Sequence, residues 1–346
     1  MEKILSLFNI RINFLEGRQF LLLIVFCLLL IFSLFVGVSF GGIKANVFNL
    51  FSFDTVTLES QVLTEIRIPR VLLAGFVGAS LGLAGASLQG LFRNPLADPG
   101  LIGVSAGAAL GAALAIVIGS ETMGESYFGF LLLPLAAIIG SSIVIFLLFS
   151  LTRGFGVRGV IYMILVGIAI NAFATVGIGI LTFISTDSQL RGLTFWTMGS
   201  FGGANWNLLI PAIVLITVSV ISLLRLGRKL DLLQLGEDEA NRLGVDVKSL
   251  KLKVVIFSAV TVGVSVSLSG IIGFVGLVIP HVVRLIGGVK HKFVLPGSVL
   301  LGASIMITAD LISRTLILPA ELPVGLITSA IGAPFFLWLI FRIRMQ

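Results

Sequence analysis

The sequence contains very few of the residues on which metal sites and disulfides are built. Only one of its 346 residues is a cysteine, Cys27, so neither a disulfide framework nor a cysteine metal site can form within the chain. Two histidines, His281 and His291, without paired acids make a poor metal centre. We therefore expect no metal site. The pattern G-x-x-x-x-G-K-[ST] is also missing, so the chain has no P-loop of its own for binding ATP.

Charged residues are scarce as well, at 11% of the chain, whereas soluble domains carry about 25%. Hydrophobic residues make up 57%, and the mean hydropathy is +1.15. This composition excludes an ordinary soluble domain. The net charge of +7 does not indicate nucleic-acid binding, because the basic residues are scattered between apolar segments and form no patch interleaved with aromatics.

The apolar segments predict an all-α polytopic membrane protein with about ten transmembrane helices in a single domain, residues 1–346. The first segment is longer than a signal-peptide core and has no obvious cleavage site, so we interpret it as a span. The predicted spans lie near 20–40, 71–91, 102–119, 128–150, 160–184, 206–224, 254–270, 272–288, 294–313 and 324–341.

The basic residues orient these spans. If the ten helices alternate in direction, all but five of the 23 Lys and Arg residues fall on the side that holds both termini. The positive-inside rule makes that side cytoplasmic. The five on the outer side are Lys44, Arg67, Arg70, Arg191 and Arg314.

The second span and the segment after it organise the chain. This span contains five glycines, which weaken a soluble helix but allow helices in lipid to pack closely. The following sequence, Arg93-Asn94-Pro95-Leu96-Ala97-Asp98-Pro99, breaks the helix with two prolines. Such a break is tolerated only outside lipid or against a cavity.

A weak internal repeat links the two halves of the chain. VGASLGLAG at 77–85 and VGVSVSLSG at 262–270 agree at five of nine positions, and the two helices run in opposite directions. This favours an inverted repeat relating spans 2–5 to spans 7–10. Chance agreement between glycine-rich helices remains the alternative.

The only long polar segment is 225–253. Gly236 and Gly244 bracket an acidic turn at the start of a predicted helix, where the amide groups favour negative charge. We expect either a helix that docks into a groove on a cytoplasmic partner or a solvated connector.

Several motifs in a fixed order resemble the FecCD-type permeases, over nearly the whole chain after about residue 60. They are RIPR at 67–70, LGLAGASLQGLFRNPLADP, GVSAGAALG, EANRLG at 239–244, GFVGLVIPHVVR at 273–284, the AD pair at 309–310 and ELPVGLITSAIGAPFF at 321–336. The members of that family are the membrane subunits of ATP-binding cassette (ABC) importers for iron-siderophore complexes, haem and vitamin B12.

The resemblance implies a bacterial inner-membrane permease that is not itself an enzyme. It implies two permease subunits around a path, two cytoplasmic ATPases that use ATP and Mg²⁺, and an extracytoplasmic binding protein. This chain would bind no cofactor, and only membrane lipid and these proteins are expected as partners. We favour a homodimer, because one chain carries both the outer arginines and the inner loop.

The resemblance also implies roles for individual residues. Arg67, Arg70 and Arg314 match the arginines that pair with acidic residues of the binding protein. Arginine suits this role because its planar fork binds carboxylates at two points. Arg314 also lies one helical turn from Asp310, so an ion pair within its own helix is the alternative.

Two further sets of residues match family positions at the inner side. Asn94 and Leu96 match positions that narrow the cytoplasmic mouth of the path, although a plain turn between two helices is the alternative. A second gate falls at Val160 and Ile161, which lack the hydroxyl pair of some relatives. The residues that match the ATPase-coupling region are Glu237, Glu239, Ala240 and Gly244.

Two other classes of protein compete with the importer. An ion-coupled secondary transporter usually needs an ionisable residue near the middle of the membrane, and Asp310, near the outer end of its helix, is the nearest candidate. A serine hydrolase is suggested by the G-x-S-x-G pattern at Gly103–Gly107 with His281 as base. That pattern requires a strand-to-helix elbow, whereas here it opens an apolar helix. We interpret His281 as a structural residue that forms a hydrogen bond.

Overall fold

The computed structural model of the chain describes residues 17–41, 58–119, 129–152 and 159–344, and the regular structure in these ranges is helical, as predicted. Two segments are π-helical: Val62–Arg67, which ends just before Ile68, and Ala115–Gly119, which follows Leu114. The α-helices are α1 (Gly17–Ser39), α2 (Leu58–Gln61), α3 (Ile68–Phe92), α4 (Val104–Leu114), α5 (Gly129–Thr152), α6 (Gly159–Ile184), α7 (Asp187–Met198), α8 (Trp206–Leu224), α9 (Gly227–Leu233), α10 (Glu237–Arg242), α11 (Val247–Ser269), α12 (Val275–Gly287), α13 (His291–Thr315) and α14 (Val324–Arg344).

Each of the ten predicted spans falls on an apolar helix. Seven of these helices are long enough to cross a membrane, and three shorter ones accompany them. The span predicted at 272–288 differs most, because α12 has only 13 residues and extends about 20 Å. It is short because residues 270–274 remain non-helical, with Gly270 and Phe274 at positive φ. Helix α11 begins at Val247, so the last residues of the polar segment predicted at 225–253 belong to the first turns of this helix.

Helix α3 lies at the centre of the described structure. Nearly all of its residues are buried, which is typical of a helix surrounded by other helices rather than by lipid. It packs against α8, α11, α12 and α13. Its contact with α13 is a backbone contact, because a Cβ atom at Gly78 would lie 2.2 Å from the Gly302 carbonyl oxygen. A Cβ atom at Gly82 would lie 2.6 Å from the carbonyl oxygen of Ser298.

The helix contacts confirm the inverted repeat. Helices α3–α6 correspond in order to α11–α14, and each contact within or between the two sets has its equivalent. The contact of α3 with α12 matches that of α11 with α4, and the contact of α3 with α13 matches that of α11 with α5. The aligned glycines agree as well, since Gly78 packs on Gly302 of α13 and Gly263 packs on Ser141 of α5.

The same plan is visible at the helix breaks. After α3, Arg93 at φ +50° ends the helix, and Gly103 at φ +80° precedes α4. After α11, Gly270 and Phe274 have the same two roles before α12.

The breaks lie at opposite ends of the molecule. We call the end with Arg93–Asp98 and α9–α10 the loop end, and the end with Arg70, Asp310 and Glu321 the arginine end.

The contact between α3 and α13 generates the first prediction. Gly78→Ala places a methyl group against backbone atoms that cannot rotate away, so we expect a loss of about 1–3 kcal/mol of stability and a lower thermal unfolding temperature in detergent. The control is Gly179→Ala in α6, where a Cβ atom meets nothing within 4 Å. Equal unfolding temperatures for the two variants would show that the close approach of α3 and α13 is not needed.

Candidate functional sites at the two ends of the molecule

Arg70 is the centre of a buried ion cluster at the arginine end. Its Nε donates to both carboxylate oxygens of Asp310, at 2.9 and 3.2 Å, and its Nη2 lies 2.9 Å from Oδ1. Its Nη1 donates to both oxygens of Glu321, each at 2.9 Å. One guanidinium therefore binds two carboxylates from α13 and from the segment before α14, a geometry that the planar fork of arginine allows.

The other two arginines connect this cluster to α1. Arg314 Nε lies 3.4 Å from Asp310 Oδ2, and its Nη2 donates to the Gly37 carbonyl oxygen. Arg67 Nη1 donates to the carbonyl oxygens of Val38 and Ser39, at 3.1 and 3.0 Å. These carbonyls lie at the carboxyl end of α1, where a helix has unpaired oxygens and a negative partial charge.

The burial of these arginines differs from the outward-facing cations expected from the sequence. Their exposed fractions are 3% for Arg67, 6% for Arg70 and 5% for Arg314. For Arg314, the alternative of an ion pair with Asp310 in its own helix is what the structure shows. Glu321 is the accessible member of the cluster, because 46% of its side chain is exposed.

At the loop end, the break after α3 is an ordered turn rather than a loose connection. The Asn94 side chain accepts a hydrogen bond from the Leu96 backbone N–H at 2.9 Å. Asp98 caps the short 3₁₀-helix Pro99–Ile102 through the Gly100 N–H at 2.7 Å. Burial raises the pKa of the Asp98 carboxyl, and the hydrogen bond from Gly100 opposes this rise. The Asn171 amide of α6 donates to the Gly100 carbonyl oxygen.

The four predicted gate residues are only partly described. Asn94 and Leu96 are exposed on the turn, with 45% of Leu96 accessible. Val160 and Ile161 belong to the first turn of α6, but their side chains lie outside the described residues. The structure therefore places the first pair at the surface of the loop end and leaves the second pair as a prediction.

The four predicted coupling residues lie on and beside α10, and each has a different environment. Glu239 is exposed and pairs with Arg242 at 2.8 Å. Glu237 pairs with Lys251 of α11 at 2.8 Å, in a contact with little solvent access. Ala240 is fully buried. Gly244 ends the turn with φ +83°, a conformation that favours glycine.

The sequence did not reveal how this segment is attached to the spans. Asp231 of α9 accepts from both the backbone N–H and the Nδ1 of His291, at 2.6 and 2.8 Å. Gln234 donates to the Gly90 carbonyl oxygen of α3 at 2.8 Å. Asp231 and His291 are 60 residues apart in the chain, and no local motif connects them.

The residues of the suggested hydrolase do not form a nucleophile elbow. Gly103 and Ser105 lie at the start of helix α4 after a 3₁₀ turn, and the described residues contain no strand before it. His281 packs edge-on against Phe335, with ring centroids 6.1 Å apart. Within the described part of the chain its Nε2 has no hydrogen-bond partner. A hydrogen bond from the other ring nitrogen of His281 stays a prediction.

The described part of the chain contains ten apolar helices, eight of them in two inverted sets of four, and polar sites at both ends. These features define a multi-pass membrane transport protein. A sequence model described as the FecCD transport family matches residues 23–342. The chain belongs to the FecCD transport family. It is therefore the permease subunit of an ABC importer, and ATP hydrolysis belongs to partner ATPase subunits. This excludes the secondary transporter and the hydrolase.

Individual relatives agree with the family. The chain is 44% identical to the hemin transport system permease protein HmuU of Yersinia pestis, over 94% of this chain and 97% of that protein. It is 37% identical to the vitamin B12 import system permease protein BtuC of Serratia proteamaculans, over 88% and 92%. A solved chain of a transporter assigned to the metal-chelate type of ABC transporter, in an inward-facing conformation, matches with a TM-score of 0.81 and 35% identity, over 92% and 98%.

Proposed function

We propose that this chain forms a homodimeric permease that imports a bulky metal chelate, with haem as the first candidate. The observation that carries the proposal is the 44% identity to a hemin permease over nearly the full length of both chains. The vitamin B12 permeases match less closely. Their cargo resembles haem in being a metal bound in a large macrocycle. A binding protein, rather than the permease, would select among such cargoes.

The exposed apolar surface of α6 supports contact with a second permease subunit. This helix contains no charged residue over its 26 positions, and it exposes large apolar side chains such as Phe173 and Phe183. In a membrane such a face contacts lipid, a second copy of the chain or an apolar path. We assign part of it to the second permease subunit, because one chain already carries both functional ends.

The two ends would engage different partners. We place the loop end and both termini in the cytoplasm of a bacterial cell, because most basic residues of the sequence lie on that side. Two ABC ATPases, which use ATP and Mg²⁺, would contact α10 through Glu239 and its surroundings. Residues 94, 96, 160 and 161 would narrow the inner mouth of the path.

The arginine end would receive the binding protein. Because Arg70 and Arg314 are buried, a partner carboxylate can reach Arg70 only by competing with Glu321, whose side chain is half exposed. We propose that Glu321 occupies the position of a partner carboxylate when no binding protein is docked. The exposed residues 316–320 beside it would complete the docking surface.

The cargo is tested by the ATPase activity of the reconstituted complex in lipid. The chain is co-expressed with its ATPases and mixed with the binding protein, either empty or loaded with haem, a ferric siderophore or cobalamin. We expect the haem-loaded form to stimulate ATP hydrolysis most. If only the binding protein loaded with a siderophore or cobalamin stimulates ATP hydrolysis, that compound and not haem is the cargo. If no ATPase co-purifies with the chain, the importer assembly is contradicted.

The role of Glu321 is tested by binding-protein affinity. Glu321→Gln removes the internal competitor for Arg70, so docking should tighten by about fivefold, corresponding to a half-exposed ion pair of about 1 kcal/mol. Glu65→Gln, at the same end and also exposed, controls for the general change in charge. Weaker docking of Glu321→Gln, or equal effects of both variants, would contradict displacement of Glu321.

A further inference from the structure

The first turn of α13 lacks a capping residue in its own sequence. The residue at its N-cap position is Lys290, which makes no capping hydrogen bond. The first N–H groups of a helix need acceptors, and the positive end of the helix dipole favours an anion. Asp231 supplies this acceptor from α9, at 2.6 Å from the His291 nitrogen, and it accepts from His291 Nδ1 with the same oxygen atom.

The His291 ring connects this pair to α3. His291 is 3% exposed, and a Cβ atom at Gly90 would lie 2.4 Å from its Nε2, so the ring rests directly on the α3 backbone. Gln234, just after α9, also donates to the Gly90 carbonyl oxygen. One turn of α3 and the first turn of α13 are thus bound to the same short helix.

Helix α9 is also continuous with the proposed ATPase-docking surface. Only residues 234–236 separate it from α10, where Glu239 is exposed. On the other side, α3 leads directly into the turn that holds Asn94 and Leu96. A short series of hydrogen-bonded contacts therefore connects α10 with that turn, so a partner that moves α10 can also move the turn.

We propose that Asp231 and His291 are positioning residues that transmit the movement of the ATPase-docking segment to α3 and α13. This inference rests on the proposed docking of ATPases at α10. The mechanical link is the hydrogen-bonded Asp231 carboxylate together with the second contact from Gln234. Without it, α10 moves while the turn after α3 stays in place.

The test measures the accessibility of the turn after α3 by the rate at which a maleimide probe labels a cysteine placed there. Leu96→Cys is made in a Cys27→Ser background, and the complex with its ATPases is labelled in lipid with and without ATP and vanadate, while ATP hydrolysis is measured in parallel. With an intact link, nucleotide should change the labelling rate. Asp231→Ala should reduce that change about tenfold, while the ATPases continue to hydrolyse ATP.

Three further variants distinguish a loss of transmitted movement from a loss of folding. His291→Asn keeps a side-chain N–H close to Asp231 and should retain most of the nucleotide response, whereas His291→Ala should lose it. Gln234→Ala alters an exposed side chain without emptying the core and should reduce the response about threefold.

The possible outcomes distinguish failure of the link through Asp231, His291 and Gln234 from failure of ATPase docking at α10. An unchanged nucleotide response in both Asp231→Ala and Gln234→Ala would overturn the link while leaving ATPase docking intact. Equal responses in His291→Asn and His291→Ala would overturn it as well. Absence of any nucleotide response in the complex with Asp231 and His291 unchanged would overturn both the link and the docking at α10.

Discussion

The close approach of α3 and α13 at Gly78 and Gly302 is the constraint on which the rest of the structure depends. At this point the two backbones are in direct contact, because a single methyl group has no room between them. In lipid, where apolar burial does not drive helices together, such van der Waals packing is what holds them. Because both helices run the full distance between the two ends, this pair connects the arginine cluster with α9.

The arginine cluster fixes one end of the pair at a considerable electrostatic cost. Burying charges is expensive, and it is repaid only where hydrogen bonds satisfy them. Asp310 meets both Arg70 and Arg314, while the carbonyls at the end of α1 receive Arg67 and Arg314. The cluster therefore joins α1, α3 and α13, and it leaves Glu321 as the member that solvent or a partner can reach.

The sequence predicted the spans well because hydropathy over about twenty residues is a property of the local sequence. The inverted repeat was also visible, since the packing glycines Gly78 and Gly263 occupy aligned positions. The contacts that define the sites were not predictable in this way. Arg70 and Glu321 are separated by 251 residues, and Asp231 and His291 by 60, so only the folded chain brings them together. The length of α12 was missed because Phe274 at positive φ has no sequence signal.

The central claim is that the two ends of one permease engage different partners, and site-specific photo-crosslinking tests it most directly. A photoreactive amino acid is placed at Leu243 near α10 or at Ile317 beside the arginine cluster, both about half exposed. In the complete complex, the first probe should crosslink only to the ATPase and the second only to the binding protein. Crosslinks of both partners to the same position, or the reverse assignment, would contradict the account.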